Sequence, residues 1–312
     1  MPLKYIIDMD IGDDIDDAIA LYAAMRRGLN LVGITTVFQN TPQRARQVKK
    51  LLKAYGRGYE NVPVYAGHGT PLKKKPEAWP CIPHYTPDLE DALYDPDSTD
   101  PDDAVQFILD SCRRYGKELA VIAIGAFTNM ARVIEKDPQA LNRISKVLIM
   151  GGAYFKQYAD WNVICDVEAA DRMFRSVKHL ECIGADVTHL MPAEERLYQN
   201  LLAYQGSEPG HLYLSQLCHL WRKDRPASPL LLHDPLVIYY AADPSICTML
   251  PASVAVLTEG FARGLTLNVN AYGKRAHNPD AYADFDDGHQ ALVASAANRE
   301  AFNQMIFRDF DI

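Results

Sequence analysis

The sequence predicts an α/β fold with a mostly parallel central sheet flanked by helices, an open Rossmann-like arrangement, and three observations carry that expectation. Short apolar runs (Tyr5 to Ile7, Leu29 to Phe38, Leu119 to Ile124, Lys146 to Met150, Leu180 to Ala185) alternate with stretches at helical spacing. The runs show little polar alternation, as strands buried on both faces do. Their ends carry glycine, asparagine or aspartate, at the positions where such sheets gather ligand contacts. A chain of 312 residues with 48% hydrophobic content can bury the core this requires. No repeat, low-complexity tract or linker interrupts it, so one catalytic domain spanning 1–312 is expected.

Composition narrows the function. A formal charge of -8 provides no basic face for a polyanion, which argues against polymeric nucleic acid and leaves a single nucleoside open. The N-terminus lacks a signal pattern and no apolar stretch is long enough to span a bilayer, so no membrane partner is expected and a cytoplasmic location is. Six cysteines (81, 112, 165, 182, 218 and 247) lie far apart without a Cys-x-x-Cys pair, and read as reduced core residues.

Taken in order, the first strand runs straight into Asp8-Met9-Asp10-Ile11-Gly12-Asp13-Asp14-Ile15-Asp16-Asp17, six carboxylates in ten positions. A helix from Asp16 to Arg27 follows, with acids in its first turn and Gly28 past its end. The second strand closes on Gln39-Asn40-Thr41-Pro42, where Asn40 is either a ligand contact or a turn residue before a helix from Pro42 to Tyr55. A short strand at Val62 to Tyr65 precedes Lys73 to Asp103, an irregular stretch with His84 that suits a binding loop or disorder. Helical spacing returns from Asp103 to Arg114, and Thr128 is a candidate cap for the helix after the next strand. In Asp160-Trp161-Asn162 an extended chain would turn both polar groups to one ligand and the indole into packing; a polar surface loop is the other reading. Gly206 to Arg225 is helical, and Leu230 to Leu232 leads into His233-Asp234-Pro235 before a further helix. Strands and a final helix fill the tail, where Asp284, Asp286 and Asp287 read as a turn.

Six adjacent carboxylates repel one another unless a cation screens them, and helix capping accounts for only one or two. An EF-hand needs glycine sixth and glutamate twelfth, but those places hold Asp13 and Ile19. A haloacid-dehalogenase-type phosphatase dependent on Mg²⁺ has the Asp-x-Asp form of Asp8-Met9-Asp10. Four further acids would repel its phosphate.

The ordered set of motifs resembles the inosine-uridine preferring nucleoside hydrolases. It comprises Asp8-Met9-Asp10-Ile11-Gly12 with Asp16-Asp17-Ala18, Ile34-Thr35-Thr36-Val37 with Asn40, Val62-Pro63-Val64-Tyr65-Ala66-Gly67, Gly125-Ala126-Phe127-Thr128-Asn129, Met150-Gly151-Gly152, Asp160-Trp161-Asn162 with Asp166-Val167-Glu168-Ala169-Ala170, Asp186-Val187-Thr188, and His233-Asp234-Pro235. The resemblance implies a ribonucleoside N-ribohydrolase that releases base and ribose. It implies Ca²⁺ held by Asp10, Asp17, Asp234 and the carbonyl of Ile124, with Asp10 as the base that activates water. Asp16, Asn40, Asp160 and Asn162 are then sugar contacts, His233 is the acid toward the leaving base, and Asp8 supports the loop. A homodimer or homotetramer is implied as well. The chain departs from the family pattern at Asp160, where glutamate is common, in the short Tyr154–Tyr158 stretch, and around His84. These departures leave room for a member that binds a nucleoside-like ligand without cleaving it.

Overall fold

The computed structural model describes residues 2–73, 82–269 and 288–310. The expected turn at Asp284, Asp286 and Asp287 lies outside them, as does Cys81. The strands are β1 (Lys4–Met9), β2 (Asn30–Thr36), β3 (Val64–Ala66), β4 (Leu119–Ala123), β5 (Lys146–Met150), β6 (Leu180–Ile183), β7 (Cys247–Val256), β8 (Thr266–Asn268) and β9 (His289–Ala297). The helices are α1 (Asp16–Arg26), α2 (Thr41–Tyr55), α3 (Pro101–Tyr115), α4 (Thr128–Lys136), α5 (Ala140–Arg143), α6 (Trp161–Cys165), α7 (Val167–Ser176), α8 (Ala185–Thr188), α9 (Glu195–Leu202), α10 (Pro209–Asp224), α11 (His233–Ala242) and α12 (Arg299–Asp309).

Among the described residues these strands form one sheet in the order β3-β2-β1-β4-β5-β6-β9-β7-β8. Pairing is parallel from β3 through β9, and β7 runs antiparallel to both β9 and β8. The mostly parallel α/β expectation therefore holds. Every residue of β4 is buried, and β1 is buried from Tyr5 onward, which is why both read as unbroken apolar runs. Ile7 and Ile122 face one core layer, while Ile6 and Val121 face the other.

Strand β1 sits inside the parallel part, with later strands added first on its β2 side and then on its β4 side. The chain thus reverses direction of growth between β1 and β4, which is where open α/β sheets leave a crevice at their carboxyl ends. Helix α1 leaves this point with ten of its eleven residues buried, and packs against α11. A helix buried on all sides has no need of a polar face. The irregular stretch before α3 contains two short 3-10 turns, at Pro87–Glu90 and Ala92–Tyr94. His84 lies buried beside the acidic loop, its amide donating to the Gly12 carbonyl at 3.2 Å.

Candidate active site

The acidic loop is shaped by a turn at Gly12, where φ is +117° and an added Cβ would lie 2.6 Å from Ile82 Cδ1. Only glycine tolerates that combination. Asp8, still within β1, points beneath the loop: its Oδ1 accepts from Thr35 Oγ1 at 2.5 Å and Asn129 Nδ2 at 2.7 Å. Burial pushes its carboxyl up to about 7. Asp13 pairs with Arg44 at 2.8 Å, and Asp14 accepts from the Ile15 amide at 2.7 Å.

Past the loop, Asp16 and Asp17 occupy the first turn of α1 and Asp234 the first turn of α11. One carboxylate oxygen from each lies within 4.8 Å of the others, and all three side chains are buried. The Asp234 amide donates to Asp16 Oδ2 at 3.2 Å, so two helix starts meet at the acids. Their positive ends offset some of the repulsion. The remainder shows in the titration: burial first, then the neighbouring carboxylates, hold Asp16, Asp17 and Asp234 well above the usual range. Asp10 shares the cavity and burial pushes it up to about 7. Asp17 Oδ1 is buried without a hydrogen-bond partner among the described residues. An all-oxygen, largely anionic set with an unpartnered buried oxygen fits a metal ion, and a hard divalent cation best.

Ile124, one residue past β4, lines the same cavity and offers its carbonyl as an acceptor. Asn162 Nδ2 donates to that carbonyl at 3.0 Å and to the Met150 carbonyl at 3.1 Å, stapling the ends of β4 and β5 together. Asp160 caps α6, accepting from the Val163 amide at 3.3 Å. Both line the cavity, through a helix start rather than the extended chain that the sequence suggested. The same helix leaves Trp161 half exposed at the wall of that cavity, its ring edge-on to Phe38 with centroids 6.2 Å apart. Burial pushes Asp160 up to about 6.

Asn40 caps α2, its side chain accepting from the Gln43 amide at 3.3 Å. Thr128 is not the cap of α4, which is Phe127; its hydroxyl donates instead to Asp166 Oδ2 at 2.7 Å. Asp166 also accepts from the Leu72 and Ala169 amides, joining three segments.

The same cavity is lined by His233, the first residue of α11 and the chain neighbour of Asp234. Its Nδ1 is 2.5 Å from Thr188 Oγ1, and its ring meets that of His189 edge-on with centroids 5.3 Å apart. Burial, and next the neighbouring His189, push its imidazole down to about 4. The cavity enclosed by these groups measures about 360 Å³, and Tyr158 and Arg225 complete its wall.

Some contributors escaped the sequence reading. Arg44 is wholly buried and donates to the carbonyls of Phe38, Asp10 and Ile11 as well as to Asp13. In a helix carrying five basic residues it looks like any solvated cation. Arg225 Nη1 donates to the Asp13 carbonyl at 2.6 Å, and no local motif marks it.

Residues 5–304 match the family described as "Inosine-uridine preferring nucleoside hydrolase". The chain belongs to that family. Among its relatives, uridine nucleosidase 1 of Arabidopsis thaliana is 30% identical over 277 residues, covering 85% of this chain and 81% of that one. The inosine-uridine preferring nucleoside hydrolase of Leishmania major is 29% identical over 86% of this chain and 88% of its own. In three dimensions a plant nucleoside hydrolase superimposes with a TM-score of 0.82 at 26% identity, covering 99% of both chains. A purine-preferring ribonucleoside hydrolase from Gardnerella vaginalis gives 0.75 at 26% identity over 98% of both. This nucleoside hydrolase is accordingly an enzyme of ribonucleoside N-glycosidic bonds, and the phosphatase alternative falls away. None of its described helices is long and apolar enough to cross a membrane.

Proposed function

We propose that the enzyme is a Ca²⁺-dependent ribonucleoside hydrolase in which Asp10 is the base for the attacking water and His233 faces the leaving base. The observation that carries this reading is the convergence, in one cavity, of Asp10, the Asp16–Asp17–Asp234 cluster and His233, from segments more than two hundred residues apart. Asp10, Asp17, Asp234 and the Ile124 carbonyl hold the cation, and calcium suits so many oxygen donors. When bound, the ion supplies Lewis acidity toward a water and the ribose diol.

Asp10 accepts the proton of the attacking water, which is too poor a nucleophile at neutral pH without a base. Asp16, one of whose oxygens already holds the Asp234 amide, turns the other to a ribose hydroxyl. Asp160 and Asn162 flank the sugar and orient it. The surrounding carboxylates also stabilise positive charge as it develops on the ribose ring.

The test incubates the protein with a panel of ribonucleosides, with and without chelator, and follows free base. Base release that chelator stops and calcium restores is expected. The Asp10→Ala enzyme should then fall by about 10² to 10⁴ in kcat, the usual share of a general base. Hydrolysis by that variant at close to the parent rate removes Asp10 from the role. Calcium binding with no base released from any nucleoside would instead identify a binding protein.

A further inference from the structure

We propose that Thr188 is a positioning residue for the reaction: its hydroxyl donates to His233 Nδ1 and so fixes the imidazole with its N–H on Nε2, directed at the departing base. This rests on the reading of His233 given above.

Three contacts define the ring. Its backbone opens α11, its Nδ1 lies 2.5 Å from Thr188 Oγ1, and His189 abuts it edge-on at an interplanar angle of 72°. With Nδ1 occupied, Nε2 is the ring nitrogen left for a ligand, and His233 lines the substrate cavity. Which partner donates follows from the hydrogen available. Thr188 is wholly buried at the end of α8, and its backbone amide bonds to the Gly184 carbonyl. Among the described residues no other acceptor is in place for its hydroxyl hydrogen. If Nδ1 carried the proton, that hydroxyl hydrogen would be buried unbonded, which is costly. Donation by Thr188 to Nδ1 avoids the cost and leaves the proton on Nε2. The arrangement also polarises the ring, since a bond accepted at one nitrogen strengthens donation from the other. The same logic governs histidines in other sites, where the partner of one nitrogen decides the role of its twin.

In the reaction, the C1′–N bond breaks with its electron pair passing to the base. The water oxygen bonds to C1′ and its proton passes to Asp10. Nε2–H hydrogen-bonds to the base as its negative charge grows, and the base then takes a proton from solvent while Asp10 releases one. An Nε2 without hydrogen would present a lone pair to that charge and oppose departure.

The test compares substrates that differ in how much help the leaving group needs. Uridine and inosine need it, whereas 4-nitrophenyl β-D-riboside expels a stable phenolate unaided. For Thr188→Val, kcat on the nucleosides should drop about tenfold, the worth of one such hydrogen bond, with KM little changed. The nitrophenyl reaction should lose much less, and Thr188→Ser should recover most of the nucleoside activity. An equal fall on all substrates, or none on the nucleosides, overturns the proposal. His233→Ala separates the layers. If it too slows every substrate alike, the leaving-group reading of His233 fails; if it is selective and Thr188→Val is not, only the Thr188 inference fails. Should the valine variant not fold, ¹⁵N NMR of the wild-type imidazoles decides, the His233 signals being those missing from His233→Gln. Nδ1 as the unprotonated nitrogen is expected; a proton on Nδ1 refutes the tautomer.

Discussion

Asp160 shows how much one buried carboxylate costs and what it does in return. Burial pushes it up to about 6, against 3.8 for the ordinary group, despite amide hydrogen bonds that pull the other way. The folded state therefore binds its proton more tightly than the unfolded chain does. Stability is highest with the proton on, and is lost as pH rises from about 4 through 6. Asp160→Asn keeps the cap on α6 without the charge. Its stability relative to the parent should rise by on the order of 2–3 kcal/mol between pH 4 and pH 7, read from urea unfolding at several pH values. A pH-independent difference would mean that Asp160 is hydrated. At this scale the sequence announced the acids, because six carboxylates in ten residues are hard to explain otherwise. It did not announce Arg44 or Arg225, whose burial depends on what packs over them.

Among the elements, α1 and α11 matter most, because each contributes its first turn to the carboxylate cluster. Alanines at 18, 20, 23 and 24 fill the interior of α1, and all are almost wholly buried. Ala20→Leu adds bulk where there is no room, and should cost about 1–3 kcal/mol. Because it shifts a helix that carries part of the cluster, calcium affinity measured by titration calorimetry should weaken with it. Unchanged affinity at reduced stability would show that the cluster tolerates movement of α1. Element types were legible where the period was long enough to read: α2, α3, β4 and β5 lie within one or two residues of expectation. The five-residue α6 was not, since a single turn leaves no period. Nor were α5, α8 and α9 read; the miss at α6 changed how Asp160, Trp161 and Asn162 are presented.

At the scale of the molecule, the switch between β1 and β4 decides where chemistry can occur. Parallel topology was legible from the unbroken apolar runs; the antiparallel edge formed by β7 and β8 was foreseen only as strands in the tail. The site is complete only when α11 has docked, so a cation held there binds the folded state alone. Calcium at about a hundredfold excess over its Kd should stabilise the protein by roughly 2.7 kcal/mol, seen as a rise of Tm. Asp234→Ala should abolish that rise, and a persisting rise would place the ion elsewhere.

Arg44 has one more consequence. A guanidinium sealed under the acidic loop is bonded to the carbonyls of Phe38, Asp10 and Ile11 and to Asp13. It is an internal counter-ion that never dissociates. The loop is thereby held in shape before any exchangeable ion arrives, so little chain entropy remains to be lost on capture. Uptake then becomes a matter of stripping water from the incoming ion, and lysine, with no planar fork to span those carbonyls, could not replace the clamp.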